Sequence, residues 1–326
     1  MSKTSRRLST LLLLAVSVAA CDGAIEPEGV PAAPRGVSAE ILPSLAGNRV
    51  TIAWEAVPGA TSYRVDVGSA PGLSDLGSLG DVAEPTAEMD LVVGEAFIQV
   101  GADNEFGSGP ASAPVVVHSL DLRDVVQALY LGSGPLCEMA DGACVTFSGG
   151  RFKGFPLGTH VTVRISTTLG DEAIAAVVES LEQVEDATLG QVTVEWSVTE
   201  DPDPIPGLDE VTGTRHPDPQ SVGCPFERGC TIHQFRTFPV LASSRAVQKI
   251  SSIQAFPHDI VGHGILGMNH IEGPIASLMG GPPPVFAGAL FPRLSPYDAA
   301  AARAVYASGV EPGAGRATFQ SLGLVK

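Results

Sequence analysis

Positive charge is scarce in this chain: Lys and Arg number 19 against 36 Asp and Glu, for a formal net charge of −17. Phosphate binding needs a clustered Lys/Arg surface, and no such cluster occurs, so a nucleic-acid partner is excluded. Long apolar runs are missing as well. Leu11 to Ala20 is ten residues, too short to span a bilayer. The cysteines lack the two-residue spacing usual in a four-cysteine zinc site, which argues against one. What is present is a chain of 326 residues, 44% of them hydrophobic, long enough to bury two cores. Acidity with only 17% charged residues reads as solubility outside the cytoplasm.

The N-terminus reads as a processing signal over residues 1–20. Lys3, Arg6 and Arg7 form a basic region, and Leu11 to Ala20 form the apolar region after it. Val18-Ala19-Ala20-Cys21 then resembles the bacterial lipobox. That resemblance implies acylation of Cys21, a membrane-anchored lipoprotein of the bacterial cell envelope, and contact with the lipid bilayer through the acyl chains. The plainer alternative is an ordinary secretory signal. Residues 21–34 hold three prolines and no apolar periodicity, as expected of a tether.

The other four cysteines fall in two close pairs, Cys137 with Cys144 and Cys224 with Cys230, each bracketing a turn-rich segment. Two local disulfides are the simplest pairing in an oxidising compartment.

From 35 to 118 the chain alternates in short runs separated by Gly, Pro, Asn and Asp. Arg49–Trp54, Ser62–Val67 and Phe97–Val100 each repeat with period two, the pattern of half-buried strands in an all-β sandwich. The order Ile52-Ala53-Trp54, Val57-Pro58-Gly59-Ala60 with Tyr63-Arg64-Val65, and Val100 to Gly107 resembles a fibronectin type III domain. Ala96 stands where that family usually has a tyrosine. The resemblance implies a spacer or binding module, with Trp54 and Tyr63 in its core.

Residues 119–326 read differently. Leu120–Leu131 has helical spacing, His160–Ser166 and Gln191–Val198 read as strands, and Asp171–Thr188 reads as a helix between them, with Ile174, Val177, Val178, Leu181 and Val184 in one stripe. Such a β-α-β unit implies parallel pairing. Residues 199–229 read as loop, Thr231–Leu241 as an edge strand, and Ser243–Phe256 as helical.

Three of the seven histidines then fall within thirteen residues: His258, His263 and His270. His258 and His263 are five apart, which on a regular α-helix is roughly 500° of rotation and points the rings about 140° apart. A π-bulge absorbs one residue and restores convergence, and Gly262 eases it. Asp259 follows the first histidine, the place where a general base is useful. Glu272 is a weaker substitute. The remaining histidines, His118, His160, His216 and His233, read as hydrogen-bonded structural residues.

The segment resembles the HExxHxxGxxH motif of the metzincin zinc endopeptidases, lengthened by one residue before His263 and by one more between His263 and Gly267. Its five-residue histidine spacing is similar to the HExxxH helix of the dipeptidyl peptidase III family. Ser277-Leu278-Met279 resembles the metzincin Met-turn, and Leu294 to Tyr306 its closing helix. These resemblances imply an α+β zinc-protease domain, a twisted mixed sheet with a metal-binding helix. They imply Zn2+ on His258, His263 and His270, Asp259 as the base, Met279 beneath the site, and a protein or peptide as substrate of a monomeric enzyme. Aspartate where both families have glutamate shortens the reach by about 1.5 Å. The expectation is therefore a secreted, lipid-anchored zinc endopeptidase. The alternatives are a catalytically inactive protease-like surface binding protein and a structural envelope protein without metal.

Overall fold

The computed structural model describes residues 29–132, 150–224, 229–237, 240–249, 255–271, 277–279 and 293–326. Cys21, the signal segment, Glu272 and the Cys137–Cys144 pair lie outside the described residues. No helix among the described residues is long and apolar enough to cross a membrane.

Eight strands make the N-terminal sandwich. One sheet has the order β1 (Ser38–Leu42), β2 (Asn48–Ala53), β5 (Thr86–Leu91). The other has the order β4 (Gly77–Val82), β3 (Ser62–Gly68), β6 (Gly94–Asn104), with β7 (Gly107–Ser108) and β8 (Val115–Ser119) sharing the far edge of β6. All pairings are antiparallel. The period-two pattern explains the core. Val50, Ile52, Val65, Ile98 and Val100 point inward and are fully buried, while most residues beside them are partly exposed. Trp54 packs edge-on against Tyr63 with ring centroids 5.2 Å apart, and the Tyr63 hydroxyl accepts the Val57 N–H at 2.9 Å. Both are core residues, as expected.

Beyond the sandwich, α1 (Leu122–Val126) runs into a π-helical turn, Gln127–Leu131. A five-stranded mixed sheet follows, in the order β10 (Val192–Thr199), β9 (Thr159–Ser166), β11 (Glu210–Arg215), β13 (Val240–Gln248), β12 (Gly229–Thr237). Strands β10, β9, β11 and β13 are parallel, and β12 closes the edge antiparallel to β13. Between β9 and β10 lie α2 (Asp171–Leu181) and the short α3 (Val184–Ala187), so the expected helix breaks near Glu182. After β13 come α4 (Ala255–Pro257), a π-helical segment at His258–Ile265, α5 (Pro296–Ala307) and α6 (Arg316–Ser321). Cys224 and Cys230 form a disulfide that ties the turn at Pro219–Val222 to the start of β12.

Two expectations are corrected here. The stretch from Ser243 is strand over most of its described length, because β13 is flanked on both sides by β11 and β12, and ladder bonds on two edges outweigh a weak helical preference. The 199–229 segment contains β11, an interior strand. Its residues Thr212, Gly213 and Thr214 are buried but small and polar, because a helix lies directly on them. A methyl group on Gly213 would meet Ile260 Cδ1 at 2.3 Å.

Candidate metal centre

Local chemistry builds the π-helical segment from its glycines and from what packs against them. Leu266 N–H donates to Val261 O at 2.9 Å, a bond five residues long. Under that pattern, residues five apart fall one above the other, which aligns His258 with His263. Gly262 faces the Met279 side chain, and a Cβ there would lie 2.0 Å from Met279 Sδ. Met279 thus sits directly beneath the segment that carries the first two histidines. Gly267 turns the chain with φ +64°, and a Cβ there would lie 1.8 Å from Lys153 O. Only glycine fits both conditions. The turn brings His270 back over the other two rings.

The three rings converge through Nε2. His258 Nε2 and His263 Nε2 each lie 3.0 Å from His270 Nε2. On the far side of the rings, His258 Nδ1 donates to Leu278 O and His263 Nδ1 to Met268 O, both at 2.7 Å. A carbonyl only accepts, so each Nδ1 carries the hydrogen and each Nε2 presents a lone pair. One proton can satisfy only one of the two Nε2 contacts at a time. A metal ion takes all three lone pairs. Nitrogens on a tetrahedral zinc at about 2.05 Å lie roughly 3.3 Å apart, close to the spacing found. The described His, Cys, Asp and Glu residues form one such group, these three histidines.

Burial disfavours the charged forms of His263 and His270. Burial first, then the neighbouring His258, holds His263 well below its ordinary value, and the same two causes push His270 down to about 3. An imidazole with a depressed pKa must gain a proton on unfolding at mildly acid pH. Its stabilising contribution is complete above about 6.5 and is lost as pH falls from there toward 3. In metal-free protein, melting temperature therefore drops more between pH 7 and pH 5 in the wild type than in His270→Gln. Equal drops in the two proteins refute this account.

Asp259 is buried, 4% exposed, and turned toward the sheet edge. Thr231 on β12 donates its hydroxyl to Oδ1 at 3.0 Å, and Gln248 on β13 donates its amide to Oδ2. Desolvation raises the Asp259 pKa, opposed by His258 and these two donors. Neither Thr231 nor Gln248 was singled out in the sequence, and no spacing signal points to them.

Two further groups were also missed. Asp298, at the third position of α5, accepts Ser277 Oγ–H at 2.6 Å and Leu278 N–H at 2.7 Å, which fixes the turn that carries Met279. Its capping box with Ser295 is readable as Ser-Pro-Tyr-Asp, although its bond to the turn is not. Lys153 is fully buried, and its Nζ lies 3.1 Å from His233 Nε2. Burial lowers its pKa to about 7. The sequence signal was a lone lysine among aromatic residues, Arg151-Phe152-Lys153-Gly154-Phe155. His233 also bonds Ser244 at 2.8 Å, and His160 and His216 bond Thr193 and the Asp218 backbone.

No protein-family model matches the chain. No curated protein matches it. Solved structures similar to part of it include an Fn3-like protein from Clostridium thermocellum, at 23% identity and TM-score 0.24, covering 28% of this chain and 96% of that one. The FN5 domain of Drosophila Lar is similar at 23% identity and TM-score 0.24, over 28% and 97%. The chicken CNTN1 FN1–FN3 domains are similar at 20% identity and TM-score 0.24, over 27% and 30%. These likenesses concern a fibronectin type III-like unit and do not bear on the histidine cluster.

Proposed function

We propose that this chain is a zinc-dependent endopeptidase of metzincin-like design. His258, His263 and His270 would hold the ion through Nε2. The convergence of those three atoms, with the opposite ring nitrogens of His258 and His263 bonded to carbonyls, is the observation that carries the reading. Bound there, zinc supplies a Lewis acid that polarises a peptide carbonyl and acidifies a coordinated water. The chain's own groups do the rest. Leu278 O and Met268 O orient the imidazoles. Asp259 takes the proton of the attacking water on a carboxylate oxygen, and burial makes it a stronger base than a surface aspartate. Thr231 and Gln248 hold that carboxylate still. Strand β12 is the edge of its sheet, with Gln234 and Arg236 exposed, and receives the substrate backbone as an added strand. The Cys21 lipid anchor and bacterial envelope location belong to the same proposal and rest on the N-terminal sequence.

One observation favours a second reading, an inactive protease-like binding protein: both Asp259 oxygens already accept hydrogen bonds from the protein. Asp259→Ala separates the two. Under the enzymatic reading it lowers kcat by about 10²–10⁴-fold while zinc content stays unchanged. A zinc-loaded wild type that cleaves nothing in a broad peptide library supports the binding protein instead.

A further inference from the structure

The sequence suggests that the sandwich is a spacer or binding module. The contacts at its lower end argue otherwise. Asn48, at the start of β2 and 4% exposed, donates its amide to Ser119 Oγ at 2.6 Å and Leu120 O at 2.7 Å, and reaches the Tyr297 hydroxyl at 3.4 Å. Leu120 N–H donates to the same hydroxyl at 2.7 Å. Ile41 and Leu45, from β1 and the turn after it, pack on the apolar core of the C-terminal half, and β1 touches α5.

Tyr297 and Asp298 are consecutive residues in the first turn of α5, held by the Ser295 capping box. Tyr297 faces the sandwich, and Asp298 faces the Met279 turn. From Asp298 the chain of bonds continues to Leu278 N–H, and Leu278 O accepts the Nδ1–H of His258. Ser119, Ser277, Leu278, Tyr297 and Asp298 are all buried, at most 4% exposed. Hydrogen bonds excluded from water are strong, and losing one partner strands the other, so such a series resists local adjustment.

We propose that Asn48 and Tyr297 are positioning residues for the metal centre. Through Asp298 and the Leu278 carbonyl they set the ring of His258, which makes the sandwich a structural part of the site rather than a detachable spacer. This rests on the metal reading of His258.

The test uses the full mature chain, stripped of metal and reloaded with Co2+, comparing wild type with Tyr297→Phe and Asn48→Leu. The cobalt d–d bands report ligand geometry, which a merely stabilising residue does not move. Both variants are expected to show altered bands and roughly tenfold weaker zinc binding in chelator competition, with unchanged far-UV circular dichroism. Bands and affinity superimposable on wild type overturn the proposal. If Asn48→Leu fails to fold, Tyr297→Phe, which removes a single oxygen, decides alone.

Hydrogen exchange at Leu278 and Met279 in metal-free protein supplies an arm independent of zinc. Exchange about tenfold faster in Tyr297→Phe supports the connection between sandwich and turn, and unchanged exchange overturns it. His258→Ala distinguishes the two failures. Cobalt uptake unaffected by that substitution refutes the metal reading, and the link to the metal with it.

Discussion

Replacing His263 by alanine leaves the purified mature chain without stoichiometric zinc. The residue is 7% exposed, with Nδ1 on Met268 O and Nε2 at 3.0 Å from His270 Nε2. Structural zinc sites with four ligands bind with about 10–16 kcal/mol, so one ligand in such a set is worth roughly 3 kcal/mol, more than a hundredfold in affinity. Any hydrolytic activity would be lost along with the ion, because two histidines no longer define an open tetrahedral site. Metal analysis after gel filtration measures the outcome, and circular dichroism checks that the fold persists. Zinc retained at one equivalent in His263→Ala would rule out the three-histidine site.

Gly267→Ala should be nearly as damaging without touching a ligand. At φ +64° any residue with a Cβ costs about 1–2 kcal/mol. Here the methyl would also stand 1.8 Å from Lys153 O and 2.7 Å from its carbonyl carbon. Backbone cannot swing aside as a side chain does, so the turn or the Lys153 segment must shift. We expect a total of about 3–5 kcal/mol in chemical unfolding, at the diagnostic end of single substitutions. Zinc affinity should fall as well, because His270 follows three residues later. Gly309→Ala is the matched control: its φ is +65°, and nothing lies within 4 Å of the added methyl. It isolates the conformational cost, about 1–2 kcal/mol. Equal losses in the two variants would show that the close approach of Lys153 does not matter.

The two glycines of the site also show how far the sequence could be read. The five-residue spacing of His258 and His263 excluded a regular α-helix if both were to bind one ion, and a π-turn was the local solution. The structure has that turn. Gly262 was assigned to easing the bulge. Its contact with Met279 Sδ adds a reason that no local pattern contains, because the partner is seventeen residues away. The strands were legible where one face is buried and the other wet, as in β2, β3 and β9. They were not legible in β11 and β13, where the helical segment that carries the histidines packs against the strands. β11 and β13 carry Ser, Thr, Gly and Ala because helices press closely on them, and those residue types read locally as loop or helix.

The clustering of His258, His263 and His270, the alternation that makes the sandwich, and the pairing of Cys224 with Cys230 are all written locally in the chain. Each depends on neighbours within a dozen residues, where period, spacing and loop length constrain the chain directly. Tertiary structure alone decided the partners of Asp259, the burial of Lys153 beside His233, and the series of bonds from Asn48 through Tyr297 and Asp298 to His258. Those contacts join residues between 11 and 249 positions apart. Their energies depend on exclusion of water from places that form only when separate elements close on one another, and a linear pattern carries no record of that closure.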